Sequence, residues 1–219
     1  MLFRRRHPAS ETIDPLLAQY GLQPRDLSKP ARMAFEALAA ERDTLQKSLE
    51  ASMTLADRDT LTPTLNRRAF LRALHRTMSE TERYKTPAAV LYLDLDGFKA
   101  VNDGFGHAAG DSVLRQIGRL LVDQVRESDV VGRLGGDEFG IILNRVEAEE
   151  AHAKAVALAD AVNALPILHA GVAHRMRVSL GVHIIANVED PEAAIARADE
   201  AMYAEKRART LAAQRFAAF

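Results

Sequence analysis

From Pro30 to about Ala56, the apolar residues Phe35, Leu38, Leu45, Leu49 and Ala56 recur at three- and four-residue spacing, interrupted by Arg42 and Ser52. That spacing predicts a helix. Its stripe is either a short coiled-coil seam or the buried side of a helix packed on its own domain, and two or three imperfect heptads do not decide between them. Ahead of it, Ile13, Leu16, Leu17 and Tyr20 form one short amphipathic piece, opened by Asp14 and Pro15 as cap and first turn. Pro63 and its polar neighbours then break the pattern before a new helix through Phe70, Leu71, Leu74 and Met78. Residues 88–95 (AAVLYLDL) are a short apolar run after Pro87, which predicts a buried strand followed by a polar loop. Helical spacing returns over 107–125 through Val113, Leu114, Ile117, Leu120, Leu121 and Val125. Further helices are predicted over about 147–164 and from about Pro191 to Arg209, with a strand pair or one long strand within 171–186.

Between the central elements lies GRLGGDEFGIIL, Gly132 to Leu143, a strand-like stretch that enters two glycines and returns as an apolar run. Gly135 and Gly136 can take the positive φ angles of a tight two-residue turn. An immediate hairpin requires antiparallel pairing, so the alternating helices and strands predict an α+β sandwich with a mixed central sheet. The expected division is an N-terminal helical segment, residues 1–56, used for coiled-coil dimerisation or signalling, and one main domain, residues 57–219.

Composition narrows the classes. The 219 residues are 47% hydrophobic and 27% charged, enough for one full core. A net charge of -1 provides no broad field for a polyanion, so nucleic acid is not an expected partner. Without cysteine there is no disulfide, thiolate zinc site or cysteine nucleophile, which fits the reducing cytoplasm. The basic start MLFRRRHPASETIDP lacks an apolar stretch, and no later run approaches a membrane span, so neither secretion nor membrane insertion is expected.

Candidate chemistry gathers on carboxylates. Asp137 and Glu138 sit side by side at the hairpin tip, where they are either ordinary turn residues or half of a site for a hard cation such as Mg²⁺ or Mn²⁺. Asp94 and Asp96 share one face of the first strand by its two-residue period. If the hairpin pairs beside that strand, Asp94 and Asp137 converge on one divalent cation, with the Leu95 carbonyl as a further oxygen ligand. Two such ions would stabilise both the attacking and the leaving oxygen of an in-line phosphoryl displacement.

Five segments in order, DxLTxxxNRR at Asp59 to Arg68, DLDGFKAVNDGFGHAAGD at Asp94 to Asp111, RLGGDEF at Arg133 to Phe139, SLG at Ser179 to Gly181 and ADEAMYAEK at Ala198 to Lys206, resemble the GGDEF domain of diguanylate cyclases. The resemblance runs from about Asp57 to Thr210. It implies a nucleotidyl-cyclase fold related to polymerase palms, and condensation of two GTP molecules into cyclic di-GMP with release of two pyrophosphates, across a homodimer with one GTP per subunit. By position it implies Mg²⁺ (or Mn²⁺), two ions per site, on Asp94, the Leu95 carbonyl and Asp137, with Glu138 a further metal or phosphate contact. Asp137 would be the candidate base, Lys99 would neutralise charge growing on the phosphates, and Asn102 and Asp111, with His107 nearby, would select guanine. Lys206 would grip the β- and γ-phosphates. Arg126 and Asp129, in RESD, match the family's RxxD site for inhibition by cyclic di-GMP.

The pattern departs in three places. Thr210 stands where the family usually has an arginine, four residues after its helix lysine, leaving Arg207 or Arg209 to substitute from neighbouring turns. Pro63 and Thr64 replace a common Gly-Leu, with an expected structural effect only. No arginine lies among Ala153 to Asp160, where Lys154 is the one basic residue, so feedback is expected to be weak. The alternative to an active cyclase is a non-catalytic cyclic di-GMP receptor that passes a signal to a protein partner through the N-terminal helices.

Overall fold

The structure, a computed structural model, describes residues 17–19, 21–169 and 171–217. Of the short piece expected at Ile13 to Tyr20, only Leu17 to Gln19 fall within these residues, and they are helical. Two units divide between Ala56 and Asp57. The first is dominated by α1 (Lys29–Asp57), on which Leu38, Leu45 and Leu49 are 60 to 64% exposed. No helix among the described residues is long and apolar enough to cross a membrane.

In the second unit, five strands form a mixed sheet: β1 (Leu65–Asn66), β2 (Ala88–Asp96), β3 (Val130–Arg133), β4 (Glu138–Leu143) and β7 (Arg177–Ile185), in the order β1-β3-β4-β2-β7. Only the β1–β3 pair is parallel, and β2 lies antiparallel between β4 and β7. A separate two-stranded ribbon, β5 (Ile167–His169) with β6 (Val172–His174), precedes β7, so the region 171–186 holds one long strand and the second strand of a ribbon whose first strand lies ahead of it.

Two-residue alternation along β2 sends its side chains into two different cores. Ala89, Leu91, Leu93 and Leu95 pack with α4 (His107–Asp123) and α5 (Ala148–Ala164), whose buried residues include Val113, Ile117, Leu121, Leu158 and Val162. Val90 and Tyr92 face the opposite way, toward Phe70, Leu74 and Met78 of α2 (Arg67–Tyr84) and Ala194, Ile195, Ala198 and Met202 of α6 (Pro191–Ala217). Asp94 and Asp96 continue that second face. An otherwise apolar surface therefore runs out into two carboxylates at the end of β2, where α6 passes over the sheet.

Local chemistry sets the element ends. The Asn66 side chain accepts the Ala69 N–H at 3.0 Å and caps α2, while Lys85 in the left-handed conformation closes it. Pro191 opens α6, with Asp190 accepting the Ala193 N–H at 3.1 Å. Gly181 lets α6 lie directly on β7, since a Cβ there would stand 2.0 Å from the Ala198 carbonyl oxygen and 2.3 Å from the Met202 nitrogen.

The polar loop expected after β2 is instead mostly helix, α3 (Phe98–Phe105). Gly97 (φ 76°) turns the chain out of the strand and Gly106 (φ 82°) separates α3 from α4. Eight residues with only Phe98 and Val101 buried leave too short an apolar stripe to be distinguished from a loop.

Candidate active site

β2 and β4 bring the acids together. Asp94 stands opposite Glu138 in the antiparallel register, and the Leu95 N–H donates to the Asp137 carbonyl at 3.3 Å. The hairpin thus pairs directly beside the strand that carries Asp94.

Its turn differs from the two-residue form expected. Four residues, Leu134 to Asp137, connect β3 to β4, and neither Gly135 nor Gly136 has positive φ. The longer turn is closed by the Leu134 N–H donating to the Glu138 carbonyl at 2.9 Å and braced by Arg133, whose Nε and Nη2 donate to the Gly136 carbonyl at 3.1 and 2.7 Å. A Cβ on Gly135 would stand 2.1 Å from Oε2 of Glu138, so a side chain there would push the Glu138 carboxylate aside. Nothing lies within 4 Å of a Cβ on Gly136, so that backbone is open to an approaching ligand.

Arg133 also reaches back to the start of the domain, its Nη1 donating to Asp59 Oδ1 at 3.3 Å. That oxygen accepts the Leu61 and Thr62 N–H groups and the Thr62 hydroxyl as well. Burial pushes the Asp59 carboxyl up, but the Thr62 hydroxyl and N–H, Arg133 and the Leu61 N–H outweigh it and hold the carboxyl below the usual range. Thr62 in turn shares a 2.8 Å hydrogen bond with the fully buried Thr64, so the Pro63-Thr64 departure is absorbed inside this turn. Sequence reading noted Asp59 and Arg133 within motifs and missed their pairing, which spans 74 residues.

Negative charge accumulates at the end of β2. Burial raises the Asp137 carboxyl pKa, and the Asp94 and Glu138 carboxylates raise it further against opposition from its own N–H and Lys206. Asp199 of α6 is raised for the same reasons, by burial and then by Glu138 and Asp94. The Tyr92 phenol is pushed strongly upward by burial and by its hydrogen bond to Glu138. Asp199 and Tyr92 were not anticipated, although Tyr92 shares the strand face of Asp94 two residues away.

Two cations from α6 answer this charge. Lys206 Nζ sits 2.8 Å from Asp94 Oδ1 and 2.9 Å from Asp96 Oδ1. Arg209 Nη2 donates to Asp96 Oδ2 at 2.6 Å and to the Ser179 hydroxyl at 2.7 Å, and that hydroxyl donates to Asp96. The Asp94 carboxylate raises the Lys206 pKa against the effect of burial, with Asp96 adding to it. Asp96 is lowered: burial opposes, but Lys206, Ser179 and Arg209 prevail. Arg207, the other suggested substitute, lies over the Tyr203 ring at 5.9 Å instead.

Among the described residues no group of three carboxylate, imidazole or thiol ligands is gathered for a metal, and Lys206 is the counter-charge to Asp94. The donor set at the site is nonetheless all oxygen, with an excess of negative charge at Asp137. That chemistry fits a hard divalent cation and no soft one.

The remaining candidates spread along α3 and α4. Lys99 is exposed in the first turn of α3 and makes no ion pair among the described residues. The Asn102 amide lies against Gly110, where a Cβ would stand 2.0 Å from Oδ1, one residue before Asp111 in the chain. Asp111 is half exposed, with Arg115 at 3.6 Å. His107 is exposed at the start of α4.

Arg126 and Asp129 lie apart, in the turn between α4 and β3. Asp129 accepts the Arg126 backbone N–H at 3.1 Å on one oxygen and the Asn144 N–H at 3.0 Å on the other. Both residues border a cavity of about 390 Å³, with Asn144, Glu150 and Lys154 also on its wall. Lys154, the one basic residue on that stretch of α5, donates to the Gln124 carbonyl.

The family described as "Diguanylate cyclase, GGDEF domain" matches residues 56–211. The chain is 39% identical over 165 residues to the probable diguanylate cyclase DgcE of Escherichia coli (strain K12), covering 74% of this chain and 15% of the relative. It is 38% identical over 182 residues to the diguanylate cyclase TpbB of Pseudomonas aeruginosa, covering 79% of this chain and 41% of that one. The chain therefore spans well under half the length of these curated relatives. Among solved structures, the coiled coil and GGDEF domain of DgcB from Caulobacter crescentus, in complex with c-di-GMP, is similar with a TM-score of 0.72 at 30% identity, over 83% of this chain and 96% of that one. The diguanylate cyclase SiaD from Pseudomonas aeruginosa, in complex with its activator SiaC, is similar with a TM-score of 0.71 at 31% identity, over 91% of this chain and 75% of that one. With the family match extending across most of the second unit, and with relatives 38–39% identical, the chain belongs to the GGDEF-domain diguanylate cyclase family.

Proposed function

We propose that this protein condenses two molecules of GTP into cyclic di-GMP and two pyrophosphates. The observation that carries the reading is the convergence of Asp94, at the end of β2, with Asp137, the last residue of the turn into the neighbouring β4, with an ammonium group already in place as counter-charge. In each half reaction a 3′-oxygen forms a bond to the α-phosphorus of the other GTP, the bond to the β-phosphate oxygen breaks, and pyrophosphate departs. The hydroxyl proton goes to Asp137, the candidate base. Asp94, the Leu95 carbonyl and Asp137 would hold Mg²⁺ or Mn²⁺, two ions per site, with Glu138 in contact. Such ions supply Lewis acidity toward the phosphates and toward the attacking hydroxyl. Lys99 and Lys206 place positive charge on the phosphates. Asn102 and Asp111, with His107 beside them, read the guanine edge, and a carboxylate facing adenine would be left unpaired.

Two subunits must meet for this chemistry, since each GTP supplies the nucleophile for the other. The exposed Leu38, Leu45 and Leu49 on α1 supply a seam for a parallel homodimer. The cavity beside Arg126 and Asp129 is suited to the product as a feedback inhibitor, with Lys154 giving a point charge where an arginine fork would bind more firmly. Incubation of the purified protein with GTP and Mg²⁺ should produce cyclic di-GMP and pyrophosphate together, and ATP should be a poor substitute. A dimeric preparation that forms neither product defeats the proposal.

A further inference from the structure

β7 opens with arginines that the mechanism above does not use. Arg177 stands opposite Asp96 in the antiparallel register, so both side chains leave the sheet on the face that also carries Asp94 and Ser179. Arg175 and Arg177, with Arg209 from α6, border one cavity of about 440 Å³ together with Asn163 and Met176. Arg175 and Arg177 are exposed, and neither forms an ion pair among the described residues. Arg209 is held by Asp96 and Ser179, whereas Arg175 and Arg177 have no such counter-charge among the described residues, and their planar forks match the oxygens of a polyphosphate.

The hollow adjoins the acid edge. Arg209 and Lys206 hold opposite oxygens of the same Asp96 carboxylate, and Lys206 also holds Asp94. An α-helix turns about 100° per residue, so an arginine at 209 points a quarter turn or so away from one at 210. In this chain that rotation aims the guanidinium at Asp96, Ser179 and the start of β7. We propose that Arg175, Arg177 and Arg209 form a polyphosphate pocket that receives the terminal phosphates of the nucleotide whose reacting end lies at Asp94 and Asp137. It replaces, from β7, the guanidinium that Thr210 does not supply. The nucleotide's identity as GTP rests on the cyclase reading, whereas the pocket's preference for a polyphosphate does not.

The test is binding, read by calorimetry in Mg²⁺ with 3′-deoxy-GTP, which lacks the attacking hydroxyl, alongside GMP and inorganic tripolyphosphate. Arg177→Gln should weaken 3′-deoxy-GTP by about fivefold or more and leave GMP within about twofold, with Arg177→Lys intermediate and the thermal midpoint unchanged. Tripolyphosphate should bind the wild type and be displaced by 3′-deoxy-GTP. Equal losses for 3′-deoxy-GTP and GMP, no loss for either, or tripolyphosphate that still binds at saturating 3′-deoxy-GTP would each overturn the assignment. Cyclic di-GMP formation by the wild type is assayed in parallel. An Arg177-dependent polyphosphate site in a protein that makes no product leaves the pocket standing and removes the cyclase reading. Normal synthesis with 3′-deoxy-GTP affinity indifferent to Arg177 does the reverse.

Discussion

The carboxylates at the end of β2 and the carboxylate of Asp129 are both paired, but with different kinds of partner. Asp129 spends one oxygen on the Arg126 N–H and the other on the Asn144 N–H, so it ties the α4–β3 turn to the end of β4. Asp94 and Asp96 are held by Lys206 and Arg209, long side chains that can leave without unmaking any strand. Backbone partners make a carboxylate part of the fold; side-chain partners leave it available for exchange with a ligand. The acid edge is therefore where charge can be handed over. In the RxxD turn only the arginine has that freedom.

The strongest challenge to this contrast is Asp137→Asn. Cyclic di-GMP formation should fall by roughly 100-fold or more, while the thermal midpoint holds or rises because a charge repelled by Asp94 and Glu138 is gone. A large loss of stability would mean that the acid is structural after all. Next, Asp129→Ala should cost about 1–2 kcal/mol in urea unfolding by stranding two N–H groups, whereas Arg126→Ala stays within about 0.5 kcal/mol. Product binding by calorimetry should weaken with Arg126→Ala. A similar figure, about 1 kcal/mol at pH 7, is expected for Asp59→Asn, which weakens the link to Arg133. Because the folded Asp59 pKa is depressed, that difference should be complete above the unfolded value of about 3.9 and vanish as pH falls through the lower folded value. Unfolding at pH 7 and pH 3 checks the sign. Smallest in its effect on the second unit is Leu45→Asp on α1, which should shift sedimentation toward monomer and lower synthesis but leave the unfolding of residues 57–219 unchanged.

Much of this was legible in the residues. The apolar run of β2, the glycine hairpin and the spacing of the helices predicted a mixed sheet, and the condition set for Asp94 and Asp137 to meet, a hairpin paired beside the strand of Asp94, is met by β2 and β4. What escaped had no periodic signal. α3 is too short and too polar to announce itself, and its limits are set by Gly97 and Gly106 rather than by a hydrophobic stripe. The turn at Gly135 and Gly136 was misjudged because it is four residues long, closed by the Leu134 N–H on the Glu138 carbonyl and braced by the Arg133 side chain, with neither glycine in the left-handed region. Arg177 could have been found, since it precedes Ser179 by two residues and must share its face. The opposing register with Asp96, which makes it interesting, depends on which strand lies beside β7.

Gly181 fixes the depth at which α6 rests on the sheet, and Lys206 lies eight residues beyond the contact at Ala198, about 12 Å along the helix axis. The helix is in effect a gauge rod with its zero at that glycine. Any side chain at 181 would lift the rod and withdraw both cations from the acid edge together, disabling the site from a position that touches neither nucleotide nor carboxylate.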